Sequence, residues 1–581
     1  MKNSTKFLIT FFVILVLVKI LLALFIPMST AFSDDHQYLK MARSFFFDQN
    51  FEAYNIKGVQ LPPLYPILIS ITHIFNNSIY VYFTIKVINV LLSSLIIIPA
   101  YLLAKEFLSE KNSKIFTFIV ALLPFGFSYN SYILTENLFY SLFLFSIYFI
   151  YRCLIYNKKL DVILAGLFVG LALLTRLHGV ILLATLGILF IIDLFKKRIN
   201  YKLILIALIA ATIYLPWFIR NLIVFSNLPQ VHSANIYSWE VSNAFLRDSI
   251  FHSVYPLIIW LTTYSGALIL SSLIIFPLYL FYKSKDNKLN KLKSLSFISI
   301  IMTLLIAANH HLRADNYFYK INDWIFFSGK LIGRYIDFVI PLIILIGFIG
   351  LIHYKTSINN NNRKILNVSL LLVIIISSVH FISRSLFLPN NPSLTWIGLI
   401  KQGIDYIFYS KSLFYVNNTV LPSVSLASLI IIPLLLIILF ILISKLFVKL
   451  KLSKVFLILA LFLILLNITN VCVSSYNAKS WYETPQVKLS LWLNEHDKDK
   501  SSVILIDDRY GGSLKKDNQT MLYIKTDISA YTVLGYWLNR EIIIGNINDL
   551  ERINYVITRD DKLNLDLIKK SENGIYLYKV N

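Results

Sequence analysis

The stretch "STAFSDDHQYLKMARSFFF" sets two carboxylates, Asp34 and Asp35, side by side just after a long apolar run. A third acid, Glu136, stands in "SYNSYILTENLFYSLFLF", at the start of another such run. A positioned carboxylate can take a proton from a reacting group. Several together can raise one pKa or hold a divalent cation. Cationic residues occur at comparable places. Arg176 and His178 lie in "LLTRLHGVILL", Arg220 in "YLPWFIRNLIVF", and Lys330, Arg334 and Tyr335 in "FFSGKLIGRYIDFVIP". Guanidinium forks suit phosphate oxygens.

Each feature also has a plain structural explanation. Ser33, Asp34 or Asp35 suits the N-cap of a helix over "HQYLKMARSFFF". Gln37, three residues after Asp34, resembles the partner in a capping box, and acids at a helix start suit its dipole. Glu136 can cap in the same way, helped by Thr135 or Asn130. A lone cation beside a span is commonly an anchor reaching for the interface. Context favours chemistry. The acidic pair opens a loop of about 50 residues, much longer than usual helix–helix connections. Pro62, Pro63 and Pro66 stiffen that loop, and an amphipathic segment follows them. Ionisable groups at the edge of a membrane bundle are functional candidates.

The elements that position these residues are membrane spans. The 581 residues are 57% hydrophobic and 15% charged, with a mean hydropathy of +0.68. Soluble domains carry roughly 25% charged residues. Runs such as "FLITFFVILVLVKILLALFI" and "LASLIIIPLLLIILFILISKLF" are long enough to cross a bilayer. The first is too long for a signal-peptide core and reads as a retained anchor. Two cysteines, Cys153 and Cys472, exclude a disulfide framework.

The net charge of +23 follows the membrane rather than nucleic acid. Its lysines and arginines crowd short loops at 104–114, 157–161, 196–202, 283–293, 354–364 and 449–454. The positive-inside rule places these six in the cytoplasm with Met1–Lys6. Loops 28–78, 129–135, 176–179, 223–250, 309–335 and 389–425 then face outward. The expected architecture is an α-helical polytopic protein of the cytoplasmic membrane with about 13 spans. From Trp481 the runs shorten, and "VILIDD", "MLYIK", "YTVLGYWL", "EIIIGN", "YVITRD" and "GIYLYKV" read as strands. Thr484 and Pro485 open a helix before them. The expected domains are a membrane domain over 1–473 and a small outward α/β domain over 474–581.

The order of motifs resembles the GT-C glycosyltransferases. It is closest to the group of the protein O-mannosyltransferases and the lipid A aminoarabinose transferase. The acidic pair, "LPPLYPIL", "TEN", "LPWFIRNLIVF" and "GRYIDFVIP" follow one another in the family's sequence, and a soluble tail closes the chain. The resemblance covers about 1–350 and the overall architecture. It implies a polyprenyl-phosphate sugar as donor and an acceptor protein, lipid or glycan at the outer membrane face. It further implies inversion at the anomeric carbon and no nucleic acid partner. Asp34 matches the family's first acid and is the expected general base. Asp35 matches the second acid, and Glu136 the acid of the second turn. Arg334 and Tyr335 match a basic–aromatic pair on the donor phosphate, to which Arg176, His178 and Arg220 add cations. The aminoarabinose transferase carries a Glu-Lys pair before its two prolines, where this chain has Gln60 and Leu61. That departure argues against the same donor sugar and makes Lys57 or Arg43 the substitute cation. If a divalent cation takes part, Asp34, Asp35 and Glu136 are its expected ligands.

Two other readings compete. A lipid-linked oligosaccharide transferase or ligase shares the broad fold, but the Trp-Trp-Asp motif of oligosaccharyltransferases is absent. A transporter or flippase of lipid-linked sugars calls for pseudo-symmetric halves, and the sequence has none. A second acidic pair, Asp507-Asp508, closes "VILIDD" and suits a sugar or acceptor contact, or simply a strand-end turn. Asn417 and Asn518 open outward sequons.

Overall fold

The computed structural model describes residues 3–26, 35–53, 61–226, 250–280, 284–312, 331–356, 371–372, 374–375, 377–378, 391–409, 430–439, 442, 450–499, 501–507, 534–547, 550–572 and 574–580. Asp34, Lys57, Lys330, Asp508, Asn417 and Asn518 lie outside the described residues.

The apolar runs form helices, as their length requires. Among the described residues seven are long and apolar enough to cross a membrane: Ser4–Leu24, Ser78–Lys105, Glu136–Tyr156, Leu177–Phe195, Tyr201–Val224, Asn287–His310 and Leu452–Tyr476. Shorter apolar helices, including Leu257–Ser271 and Asp337–Ile352, lie between them. The expected 13 spans include stretches that are only partly described, around 365–388 and 424–449. The elements that matter for the site are α1 (Asn3–Leu24), α2 (Asp35–Asp48), α3 (Leu64–Ser70), α4 (Ser78–Ser94), α5 (Ile97–Lys105), α6 (Glu110–Ala121), α7 (Phe125–Ser128), α8 (Glu136–Tyr156), α9 (Lys159–Thr175), α10 (Val180–Phe195) and α11 (Tyr201–Ser226).

The bundle has two chemically distinct ends. At one, the basic loops meet. Lys105 Nζ lies 3.3 Å from Ser4 Oγ, Lys202 Nζ donates to the Asn157 carbonyl at 3.4 Å, and Lys291 Nζ donates to the Leu154 carbonyl at 2.7 Å. Tyr156 donates to Glu106 there. At the other end Glu136, Arg176 and Arg334 converge. The N-terminus and the basic loops 104–114, 157–161, 196–202 and 283–293 therefore meet at one end.

Helix Leu452–Tyr482 runs through the expected boundary at 473, and the polar domain begins at Thr484, with Pro485 as the first residue of helix Pro485–His496. Five strands follow: β1 (Val503–Asp507), β2 (Glu541–Gly545), β3 (Tyr555–Thr558), β4 (Asp566–Lys570) and β5 (Tyr576–Lys579), in the spatial order β2-β1-β3-β5-β4. β1 is parallel to β2 and β3, and β5 is antiparallel to β3 and β4. Alternation along β1 divides the core. Ile504 and Ile506 pack with Leu489 and Leu493 of the helix, whereas Leu505 joins Val556 and Tyr578 on the opposite face.

Two expectations for this domain change. Of "YTVLGYWL", read as a strand, residues 534–537 are one helical turn. The i, i+4 pair Leu534 and Leu538 reaches the sheet, while Tyr536 and Trp537 turn toward the membrane domain. β4 was not expected, because as an edge strand with an exposed face it lacks hydrophobic alternation.

Candidate active site

Glu136 is the first residue of α8 and is fully buried. Thr135 makes no side-chain cap, and its hydroxyl donates to Glu136 Oε2 at 3.2 Å. The preceding turn is tied to α4, whose Asn89 Nδ2 donates to the carbonyls of Asn130 and Tyr132 at 3.2 and 2.9 Å. Asn137 Nδ2 donates to the carbonyls of Tyr129 and Leu134, both at 3.0 Å. The backbone amides of a helix start favour an acid at this place.

Arg176 sits at the sharp reversal between α9 and α10. It takes extended backbone angles after Thr175, and its amide closes on the Ala172 carbonyl at 2.9 Å. Gly179 makes the reversal: a Cβ there would stand 2.7 Å from the backbone nitrogen of Leu173. The expected outward loop 176–179 is thus a turn between α9 and α10 just long enough to present Arg176 and His178.

Arg334 and Tyr335 lie on a 3-10 turn, Gly333–Tyr335, followed by a second over Asp337–Val339. Asn391 clasps this hairpin with both ends of its amide. It accepts from the Gly333 N–H at 2.7 Å and donates to the Leu331 carbonyl at 2.9 Å. Asp337 accepts from the Tyr129 hydroxyl at 2.9 Å and from Ser393 at 3.3 Å, tying the hairpin to the turn before Glu136. Burial and the Asp337 charge push the Tyr129 phenol well up, so it remains a donor. Tyr140 donates to the Arg334 carbonyl at 2.9 Å.

These three turns bring their charges to one point. Arg176 Nη1 forms an ion pair with Glu136 Oε1, and Arg334 Nη1 approaches the same oxygen at 3.5 Å. The Tyr335 ring lies beneath both guanidiniums, at 5.4 Å from Arg176 and 5.5 Å from Arg334. His178 accepts from Arg176 Nε at 3.1 Å, and its ring lies tilted at 4.8 Å from the Tyr335 ring. His310 is within 3.2 Å of the Tyr335 hydroxyl. Among the described residues, the two guanidiniums thus share the buried carboxylate of Glu136.

Asp35 opens α2 and is buried. Tyr65, which donates to Asn89 Oδ1 at 2.8 Å, feels the charges of both Asp35 and Glu136. Tyr38 of α2 meets the Tyr65 ring edge-on at 5.8 Å. The acidic end of α2 therefore borders the arginine cluster. Arg220 and Arg43 stand elsewhere. Arg220 covers Trp217 and donates to the Phe51 carbonyl at 3.3 Å, and Arg43 lies over Phe47. Among the described residues no three His, Cys, Asp or Glu side chains are grouped to hold a metal ion. Asp507 accepts from Thr558 at 2.7 Å within the sheet domain.

Several participants escaped the sequence reading. His310 ends an apolar run, a position that flags an ionisable residue. Asp337 stands inside the quoted "GRYIDFVIP". Asn391 carries no local signal, because its work depends on a segment 58 residues away.

Residues 60–217 match the family model of the dolichyl-phosphate-mannose-protein mannosyltransferases. The structure resembles ArnT from Cupriavidus metallidurans bound to undecaprenyl phosphate, at a TM-score of 0.57 and 11% identity, over 98% of this chain and 97% of that one. The apo form of the same protein gives a TM-score of 0.56 at 11% identity, over 99% and 98%. No curated protein matches the chain in sequence. The matched family segment and the full-length likeness agree with the helical bundle and the small sheet domain, and the fold is of the GT-C type.

Proposed function

We propose that the protein transfers a sugar from a polyprenyl-phosphate donor to an acceptor at the outer face of the cytoplasmic membrane. The observation that carries this reading is the meeting of Arg176 and Arg334 on Glu136, with Tyr335 beneath them. Two guanidinium forks held side by side in a buried site suit the oxygens of a lipid phosphate. The undecaprenyl phosphate held by ArnT, a protein of like fold, supports the same class of carrier.

In this reading the acceptor hydroxyl gives its proton to Asp34 as its oxygen attacks the anomeric carbon. The bond from that carbon to the phosphate oxygen breaks, and the electron pair leaves with the phosphate. Arg176 and Arg334 hold the charge that develops there. One displacement inverts the anomeric centre. Asp35 shapes the same helix start, and Glu136 fixes the arginines. Arg43 and Arg220 belong to the face under the C-terminal domain, where an acceptor is gathered. The membrane domain, up to the end of helix Leu452–Tyr482, does the chemistry, and the domain from Thr484 onward lies outside the membrane.

The test is release of sugar from a panel of radiolabelled polyprenyl-phosphate sugars by detergent-purified protein. Wild type should turn over one donor, and Asp34→Asn, which keeps size and capping, should lose that turnover with its melting unchanged. Equal turnover by both would remove Asp34 as base. Neither turnover nor binding of any lipid phosphate by wild type would overturn the assignment.

A further inference from the structure

Between Lys6 and Asp34 the sequence has a single charge, Lys19, in the middle of an apolar run. Few residues of α1 are buried: its inward stripe is Leu15, Lys19 and Ala23, continued by Ile26 just past its end. That spacing is one helix face. Lys19 is 2% exposed. A buried cation at such a depth is costly, and a leucine would anchor the helix equally well, so the residue calls for a task.

Its contacts suggest one. Lys19 Nζ donates to Ser93 Oγ at 3.0 Å and lies 5.4 Å from the Phe127 ring centre. Ser93 has one proton and two acceptors within reach, Asn130 Oδ1 at 2.7 Å and the Val90 carbonyl at 3.3 Å. An ammonium on the serine oxygen polarises its O–H and strengthens the onward bond. Asn130 in turn donates to the Gly126 carbonyl at 2.9 Å. The turn that ends in Thr135 and Glu136 is thus held from α1 through α4.

We infer that Lys19 is a positioning residue for the candidate site: through Ser93 and Asn130 it fixes the turn that presents Glu136, and with it the two arginines. Its effect on lipid-phosphate binding rests on the function proposed above, whereas its effect on the turn does not.

Hydrogen–deuterium exchange of residues 126–135 tests the turn directly, in detergent, for wild type, Lys19→Met, Asn130→Ala and the double variant. Lys19→Met should speed exchange there at an unchanged melting midpoint, and the double variant should exchange no faster than Asn130→Ala. In parallel, affinity for undecaprenyl phosphate should weaken roughly tenfold in Lys19→Met, the size of effect expected from a coupled residue that does not touch the ligand. Ser93→Ala breaks the same link and should behave alike, which serves if Lys19→Met does not fold. Unchanged exchange, additive exchange in the double variant, or a lowered melting midpoint with unchanged affinity would overturn the inference. If wild type binds no lipid phosphate, the functional reading fails and the exchange data alone decide on Lys19.

Discussion

Arg176 and Arg334 approach the same carboxylate oxygen, Oε1 of Glu136, from two different interhelical turns. The first guanidinium arrives from the reversal between α9 and α10, the second from the 3-10 hairpin after His310. Like charges this close repel in a low-dielectric site. The carboxylate and the face of Tyr335 between them are what hold them together. Glu136 is thereby engaged on both sides, by the arginines and by Thr135, a geometry that suits an anchor of cations.

Removing that anchor should be expensive. Glu136→Gln keeps the volume but removes the charge that the two buried guanidiniums share. Breaking one side of a buried ion pair costs about 3–5 kcal/mol, so the variant should melt well below wild type and lose sugar transfer. Undecaprenyl phosphate should recover more of the melting midpoint in Glu136→Gln than it adds to wild type, because the phosphate replaces the missing charge. Equal shifts in both proteins would place the phosphate away from this cluster.

Arg334→Lys separates charge from shape. Lysine keeps the charge but loses the planar fork and the stacking on Tyr335. Donor affinity should fall about tenfold, a loss in keeping with a charge-assisted bond of 1.5–3 kcal/mol, with a smaller change in the rate at saturating donor. Arg220→Lys, which alters a contact with Trp217 and Phe51, should leave donor affinity near wild type. A reversed order, measured by donor titration of both variants, would move the phosphate toward α11.

How much of this arrangement the sequence discloses depends on distance along the chain. The helices are legible because an apolar run must satisfy its backbone internally, and the two ends are legible because lysines avoid crossing the bilayer. Glu136, Arg176, Arg334 and Tyr335 are each visible as polar residues at run ends. Their convergence on one oxygen is not, since it arises from turns about 40 and 200 residues from Glu136, and local pattern carries no information on such pairings. The turn at 534–537 fails for a related reason. Its apolar residues serve two cores at once, the sheet through Leu534 and Leu538 and the membrane domain through Tyr536 and Trp537, so neither period dominates.

Asn391 offers a test of the hairpin that carries Arg334. Its oxygen and nitrogen bond the backbone of Gly333 and Leu331, as a neighbouring strand would. Asn391→Asp keeps the acceptor and loses the donor, leaving the buried Leu331 carbonyl facing a carboxylate. A buried acceptor left without its donor costs about 1–3 kcal/mol. Asn391→Asp should lower the melting midpoint and also weaken donor affinity, because Arg334 loses its fixed approach to Glu136. A melting loss without any affinity loss would separate the clasp from the site.

The C-terminal domain is latched to α2 by a lysine whose protonation should be visible in stability. Lys40 Nζ donates to the carbonyls of Leu538 at 2.7 Å and Arg540 at 3.3 Å. Nearby, His73 Nδ1 donates to Asn539 Oδ1 at 2.8 Å and Ser78 donates to the Trp537 carbonyl at 2.9 Å, so the same short segment is gripped from α2 to α4. Burial, and then the Arg43 charge, hold the Lys40 amine well below the usual lysine range. A neutral amine still has two N–H donors, enough for both carbonyls. Between the depressed folded pKa and the unfolded value of about 10.4, the unfolded chain binds a proton that the folded chain does not. Stability contributed at this site therefore rises with pH across that interval, by at most about 1.4 kcal/mol per pH unit. Lys40→Met removes the titration together with both hydrogen bonds. Thermal melts of wild type and Lys40→Met, run from neutral pH upward, should diverge as pH rises, wild type gaining on the variant. Parallel curves would mean that Lys40 keeps its proton in the folded protein and that its two carbonyl bonds are those of an ammonium.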